Sequence, residues 1–97
     1  MSLEFEWDPR KAASNFRKHR VSFEEAATVL EDELSATVAD PDHAREEDRL
    51  LTVGMSIQRR LLIVSHTERG DRIRIISARQ LTEQERRDYE EGNRTGS

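Results

Sequence analysis

Three apolar runs, separated by gaps too short for anything but a turn, constrain this chain more than any other feature. They are LLTVGMSI at 50–57, LLIVSHT at 61–67 and RIRIISA at 72–78. The intervening QRR and ERGD are hairpin length, and Gly70 supplies a residue at ease with positive φ. The runs are therefore expected to form an antiparallel meander.

What precedes the meander reads as one strand and two helices. Leu3, Phe5 and Trp7 alternate with Glu4 and Glu6, the period of a half-buried strand over 3–7. Asp8 offers an N-cap and Pro9 a first helical residue, which predicts a helix to about residue 20 with Ala12, Ala13 and Phe16 on its apolar face. Ser22 and Glu25 have capping-box spacing, Val21 is placed as a hydrophobic staple, and Phe23, Ala26, Ala27 and Leu30 recur at helical spacing. SATVA at 35–39 predicts a short strand, followed by the charged loop DPDHAREED at 40–48. After the meander, Thr82 and Glu85 form a second capping box that opens a helix over 83–91, and GNRTGS at 92–97 has the composition of a flexible tail. Helices kept apart from a run of strands argue for a single α+β domain over 1–91. Its curved antiparallel sheet of three to four strands should carry the helices on one face.

With 97 residues there is room for a single core, and 34% hydrophobic residues leave much of the stability to caps, charge pairs or a partner. That favours a complex as the working form. Cysteine is absent, which excludes disulfides and thiolate metal sites and suits a reducing cytoplasm. The opening MSLEFEWDPR is acidic where a signal peptide would be basic, and no apolar stretch approaches the roughly 20 residues of a membrane span. The expected location is cytoplasmic.

The formal net charge of -4 conceals a division along the chain. Residues 24–48 hold 1 basic and 10 acidic side chains, whereas residues 49–79 hold 7 and 2. A basic surface can face a polyanion even when the whole chain is acidic. Of the 16 basic residues all but Lys11 and Lys18 are arginine, whose planar fork grips phosphate in two places. Arginine-rich codon usage is the plainer explanation for that bias.

Several catalytic signals are missing: no glycine-rich phosphate loop, no HExxH, no nucleophile-elbow serine. His19, His43 and His66 lack ligand-pair spacing. Asp40, Asp42 and Asp48 have the chemistry for a hard cation, but an acidic loop is usually just solvated, so no metal or other cofactor is expected. Strand parity then decides which arginines meet. In a regular strand Arg72, Arg74, Ile76 and Ala78 share one face and Ile73, Ile75, Ser77 and Arg79 the other; a bulge, or a strand ending at Ser77, would bring Arg79 beside Arg74. His66, Glu68, Arg69, Arg72 and Arg74 all belong near one hairpin. Such a cluster has what phosphodiester cleavage needs, an imidazole or carboxylate to move a proton and guanidinium groups to stabilise the transition state. Each residue also has a structural alternative. Glu68 can pair with Arg69 or Arg72, His66 can be a satisfied polar residue, and Arg79 can pair with Glu85. Lys18 and His19 can simply meet the negative end of the first helix, and Tyr89 can be core or interface.

The segment FEWDPRKAASNFRKHRVSFEEA resembles the opening of the BrnT family of type II toxins, and RIRIISAR followed by LTEQERRDYEE resembles its second signature. Arg20 departs from the pattern, since the family usually has a helix-stopping glycine there. The resemblance implies a fold similar to the RelE family of messenger-RNA-cleaving toxins and a ribonuclease activity that arrests translation, which the missing metal-ligand patterns lead us to expect to be metal-independent. It also implies a BrnA-like antitoxin whose ribbon-helix-helix domain binds promoter DNA, in a 2:2 heterotetramer. Carried over by position, the family pattern points to Lys18 and His19 in the NxxKH segment, to Arg69, and to Arg74 and Arg79 in the signature strand. Glu68 joins these as a catalytic candidate, with Arg72, Arg74 and His66 expected to bind RNA. The expected division of labour has Arg79 and Arg69 holding the scissile phosphate, Glu68 or His19 as base, and Lys18 or His66 assisting the leaving group. A non-catalytic binding module with the same basic face is the alternative function.

Overall fold

In the computed structural model, residues 3–43 and 48–95 are described. The elements follow the expected order: β1 (Glu4–Glu6), α1 (Pro9–His19), α2 (Phe23–Leu30), β2 (Ala36–Ala39), a 3-10 turn at Pro41–His43, β3 (Leu50–Met55), β4 (Leu61–Arg69), β5 (Arg72–Gln80) and α3 (Glu83–Thr95). Asp8 caps α1 by accepting the Arg10 N–H at 2.8 Å. At the other end Arg20 stops α1 with φ 59°, in the left-handed region where glycine is usual. Gly70, at φ +63°, turns the β4–β5 hairpin. The Thr82–Glu85 capping box closes in both directions, with the Thr82 N–H on Glu85 Oε1 at 2.8 Å and the Glu85 N–H on Thr82 Oγ1 at 3.2 Å. The Ser22–Glu25 box is only half made. Ser22 Oγ accepts the Glu25 N–H at 3.0 Å, but the Glu25 carboxylate is drawn away to Arg60 and Ser56.

The sheet has five strands in the order β1-β5-β4-β3-β2. Strands β2 to β5 form the antiparallel meander, while β1 lies parallel to β5 and places Glu4 opposite Arg72 and Glu6 opposite Arg74. The sheet is thus mixed rather than purely antiparallel. The core lies between one sheet face and helices α1 and α2, where Val21, Phe23, Ala26 and Val29 meet Leu62, Val64, Ile75 and Ala78. Phe23 is fully buried and takes the Trp7 ring edge-on, with centroids 5.9 Å apart and planes at 83°. Burying such a side chain stabilises the fold by about 1.5–3 kcal/mol. In β3, Gly54 lets this layer close up, since a Cβ there would stand 2.8 Å from that of Ser35.

Three expectations need correction. The buried residue of α1 is Asn15, 7% exposed, and not Phe16, which is 45% exposed under the Arg20 guanidinium. The reason is that α1 lies over the outer edge of β5, where a polar side chain is needed. Helix α3 does not join α1 and α2. It leaves the end of β5 and is tied to the opposite sheet face through Arg79 and Glu85. It also continues past residue 91 to Thr95, taking in Gly92; of the expected tail, residues 96–97 lie outside the described residues, as do residues 44–47 of the charged loop.

Candidate active site on the rim of strand five

The decisive local feature is a bulge. Ser65 pairs with Ser77 but His66 pairs with Ile75, so Ile76 is an extra residue on β5. Side-chain alternation resets there, and because directly opposed residues share a face, Arg72, Arg74, Ser77 and Arg79 all project from the face away from the core. Arg69, Thr67, Ser65 and Ile63 accompany them from β4. This is the bulged alternative read from the sequence, and it places the arginines of RIRIISAR on one open surface.

The arginines are not free cations. Arg74 donates to Glu6 Oε2 at 3.0 Å, and Arg72 stands 3.6 Å from Glu4 and 3.9 Å from Glu6. Arg79 forms a two-pronged pair with Glu85, at 2.8 and 2.9 Å, and adds a bond to the Gln80 carbonyl at 3.1 Å. Arg79, together with the Thr82 N–H, pulls the Glu85 carboxyl down to about 2, and Glu85 in turn raises Arg79. Charge at this face is balanced by β1 and α3. The exposed Arg72 pairs contribute little to stability.

Beyond Arg74 the outer edge of β5 has no strand partner, because β1 ends at Glu6. Asn15 takes that place. Its Oδ1 accepts the Ala78 N–H at 3.1 Å, while its Nδ2 donates to the Ala78 carbonyl at 2.9 Å and to the Val21 carbonyl at 3.0 Å. One amide side chain thus imitates a neighbouring strand and fixes the rim just before Arg79. Three and four residues further along α1 come Lys18, exposed, and His19, half-buried. Together with Lys11, Ser14 and Asn15 they line a concavity of about 210 Å³ against Ile76 and Ser77. Across the rim, a second concavity of about 480 Å³ opens over Leu51, Ile63, Ser65 and Ser77. Arg79 and Glu85 flank it from one end of the sheet, and Asp40, Asp42 and Arg49 line the remainder. Ser77 belongs to both concavities, so Lys18, His19 and Arg79 surround a single stretch of strand.

The other candidates lie elsewhere. Arg69 pairs with Arg72 at the hairpin, six positions along β4 from the Ile63 that faces Arg79, or about 20 Å of strand. Arg69 and Arg79 therefore do not converge on one phosphate. Glu68 and His66 sit on the core-side face, opposite Ile73 and Ile75. His66 is 4% exposed; its Nε2 is 2.7 Å from Thr52 Oγ1, which is 2.7 Å from Thr37 Oγ1. Burial lowers its pKa, with the Glu68 charge opposing, so it stands as a neutral member of a buried polar chain. Ser77, Ser65 and Asn15 were not singled out by chemistry in the sequence; the available signals were a serine inside the apolar IISAR run and the asparagine of NxxKH. Among the described residues no group of three or more His, Cys, Asp or Glu is placed to hold a metal ion. No described helix is long and apolar enough to cross a membrane.

Comparison with known proteins gives the family. Residues 7–85 match the family described as ribonuclease toxin, BrnT, of type II toxin-antitoxin system, a span that includes Lys18, His19, Ser77, Arg79 and Glu85. No curated protein matches the chain. Among solved structures the fold is similar to the 1.1 Å crystal structure of the Brucella abortus ribonuclease toxin BrnT, with a TM-score of 0.63 and 22% identity over 84% of this chain and 100% of that one. With most of its length matched, the chain belongs to the BrnT family of ribonuclease toxins of type II toxin–antitoxin systems.

Proposed function

We propose that this toxin is a metal-independent endoribonuclease that cuts messenger RNA at the β5 rim, with Lys18, His19 and Arg79 around the scissile phosphate. The observation that supports the reading is the pair of concavities that share Ser77, one lined by Lys18 and His19 and the other by Arg79. RNA brings its own nucleophile. The ribose 2′-oxygen attacks the adjacent phosphorus, His19 takes the hydroxyl proton, the bond from phosphorus to the 5′-oxygen breaks, and Lys18 returns a proton to that oxygen. The products are a 2′,3′-cyclic phosphate and a 5′-hydroxyl. Arg79 stabilises the charge that builds on the non-bridging oxygens, and Glu85 holds its fork in place. Arg74, about 13 Å along the strand, and Arg69 and Arg72, about 20 Å along it, would line the path of the flanking RNA strand. Glu68 and His66 take no part in this scheme, because they face the core side.

A type II toxin of this family has an antitoxin partner. We assign that role to a BrnA-like protein whose ribbon-helix-helix domain binds promoter DNA, in a 2:2 assembly. The alternative of a non-catalytic binding module draws its support from the carboxylate partners of Arg72, Arg74 and Arg79, which leave less charge to spend on a phosphate. The test is incubation of purified protein with a long messenger RNA in excess EDTA beside Arg79→Ala, mapping new 5′ ends and checking both proteins by thermal melting. Discrete cuts from the parent alone support the nuclease. Intact RNA in both lanes, with and without translating ribosomes, supports the binding module.

A further inference from the structure

The cleavage scheme uses the smaller concavity and the Arg79 end of the larger one, and leaves the rest of the larger basin without a role. That remainder is ill suited to a second phosphate. Among the described residues, the carboxylates Asp40, Asp42 and Glu85 line the basin with two cations, Arg49 and Arg79, and Arg79 is already paired with Glu85. Beyond the end held by Arg79, a further phosphate would face these carboxylates. An uncharged nucleobase would not be repelled by them. The floor is a cross-strand patch of Leu51 and Ile63 beside the hydroxyls of Ser65 and Ser77, and about 480 Å³ is within the range of small-molecule sites. The Arg79 guanidinium, held flat by its two bonds to Glu85, presents a plane on which a base can stack.

The hydrogen-bonding character of the wall selects the base. Asp40 is 6% exposed and its Oδ1 accepts the Asp42 N–H at 3.0 Å, which fixes the turn carrying Asp42. Asp42 is exposed on the wall of the basin, and its carboxylate has no partner among the described residues. A carboxylate only accepts, and it accepts best from two adjacent donors. On the Watson–Crick edge, guanine alone presents such a pair, N1–H and N2–H. Adenine and cytosine set one donor beside an acceptor, and uracil flanks its one donor with two carbonyls.

We infer that the basin over Leu51, Ile63, Ser65 and Ser77 is a nucleobase subsite next to the scissile phosphate, and that Asp42 makes it selective for guanine. This deepens the proposed ribonuclease reading and rests on it, so the test separates the two. Protein in EDTA is titrated with the four 2′-O-methyl homodinucleotides, whose blocked 2′-oxygen prevents cleavage, by calorimetry and by amide NMR shifts, for the parent and for Asp42→Asn. The parent should bind the guanine dinucleotide roughly tenfold more tightly than the others, with shifts at Ser65 and Ser77, and Asp42→Asn should abolish the preference while melting as the parent does. Equal binding of all four, or a guanine preference that survives Asp42→Asn, overturns the subsite. On cleavable RNA the parent should cut beside guanine. If guanine is preferred in binding and lost in the variant while no RNA is ever cut, the subsite stands and the ribonuclease reading falls. If RNA is cut at the same positions by parent and variant without regard to guanine, the subsite falls and the ribonuclease stands.

Discussion

Replacing Asn15 by aspartate changes one NH2 group to oxygen and little else in shape, yet it should be among the most damaging single changes in this protein. The Nδ2 group donates to two carbonyls, Ala78 at 2.9 Å and Val21 at 3.0 Å, at a position only 7% exposed. In Asn15→Asp both carbonyls lose their donor and face an oxygen instead. At about 1–3 kcal/mol for each unsatisfied buried group, and with repulsion added, the loss is at least about 3 kcal/mol. For a domain of this size that lowers the melting temperature by roughly 12 °C or more. The variant carries its own signature in pH. Burial and two facing carbonyl dipoles raise the folded-state pKa of the new carboxyl above its unfolded value, so folding takes up a proton. The stability gap to the parent is therefore widest near neutrality and narrows as pH falls, once the protonated acid can donate to one carbonyl. Urea unfolding of parent and variant at about pH 7 and about pH 5 reads this directly. A variant as stable as its parent at neutrality, or a gap unchanged by acid, would refute the strand-mimic role of Asn15.

Other predictions follow from the same contacts. Arg60 ties α2 to the β3–β4 turn through Glu25, and donates from Nη2 to the Arg20 carbonyl at 3.0 Å. Arg60→Met leaves the Glu25 carboxylate, 2% exposed, with the Ser56 hydroxyl alone, and should cost about 3 kcal/mol in urea unfolding. Adding Glu25→Leu should recover much of that, and a double variant worse than the single one contradicts the argument. Arg20→Gly relieves the left-handed strain but loses the contact over Phe16 at 5.9 Å, so its stability should lie within about 1 kcal/mol of the parent, whereas Arg20→Val should lose more than that. Acid should destabilise the fold in two stages. The His66 pKa is lowered from its ordinary 6.5, so its contribution is complete above 6.5 and is lost as pH falls below; Glu25 and Glu85, lowered from 4.5, with Glu85 reaching about 2, contribute above 4.5 and lose that contribution below it. A melting temperature constant from neutrality down to pH 4.5 would contradict the burial of a neutral His66.

The elements were legible because their signals are local. Asp8-Pro9, Ser22, Gly70 and the Thr82–Glu85 spacing each act within one turn, and each cap or turn formed where expected. What escaped was everything set by a partner distant in sequence. The parallel pairing of β1 with β5 joins residues 68 apart, and no property of Glu4 or Glu6 announces it. Phe16 was the apolar choice for the buried face of α1, but that helix covers a strand edge with free backbone groups, so the amide of Asn15 is buried instead. The bulge at Ile76 decided the site. Parity alone leaves Arg79 on either face, and only the register with β4 shows it on the same face as Arg72 and Arg74. Glu68 is a neighbour of the hairpin arginines in space as well as in sequence, sharing a concavity with Arg69, whereas His66 is buried on the core side of the sheet.

The most direct test of the rim as the site of cleavage is the rate of RNA cutting in excess EDTA by four variants beside the parent: His19→Gln, Lys18→Met, Arg79→Lys and Glu68→Gln. The first three should slow cutting at least about a hundredfold with melting temperatures close to the parent's, while Glu68→Gln leaves the rate where it was. Rim variants that cut as fast as the parent, or a Glu68→Gln variant that alone falls silent, would contradict the account and move the chemistry to the hairpin.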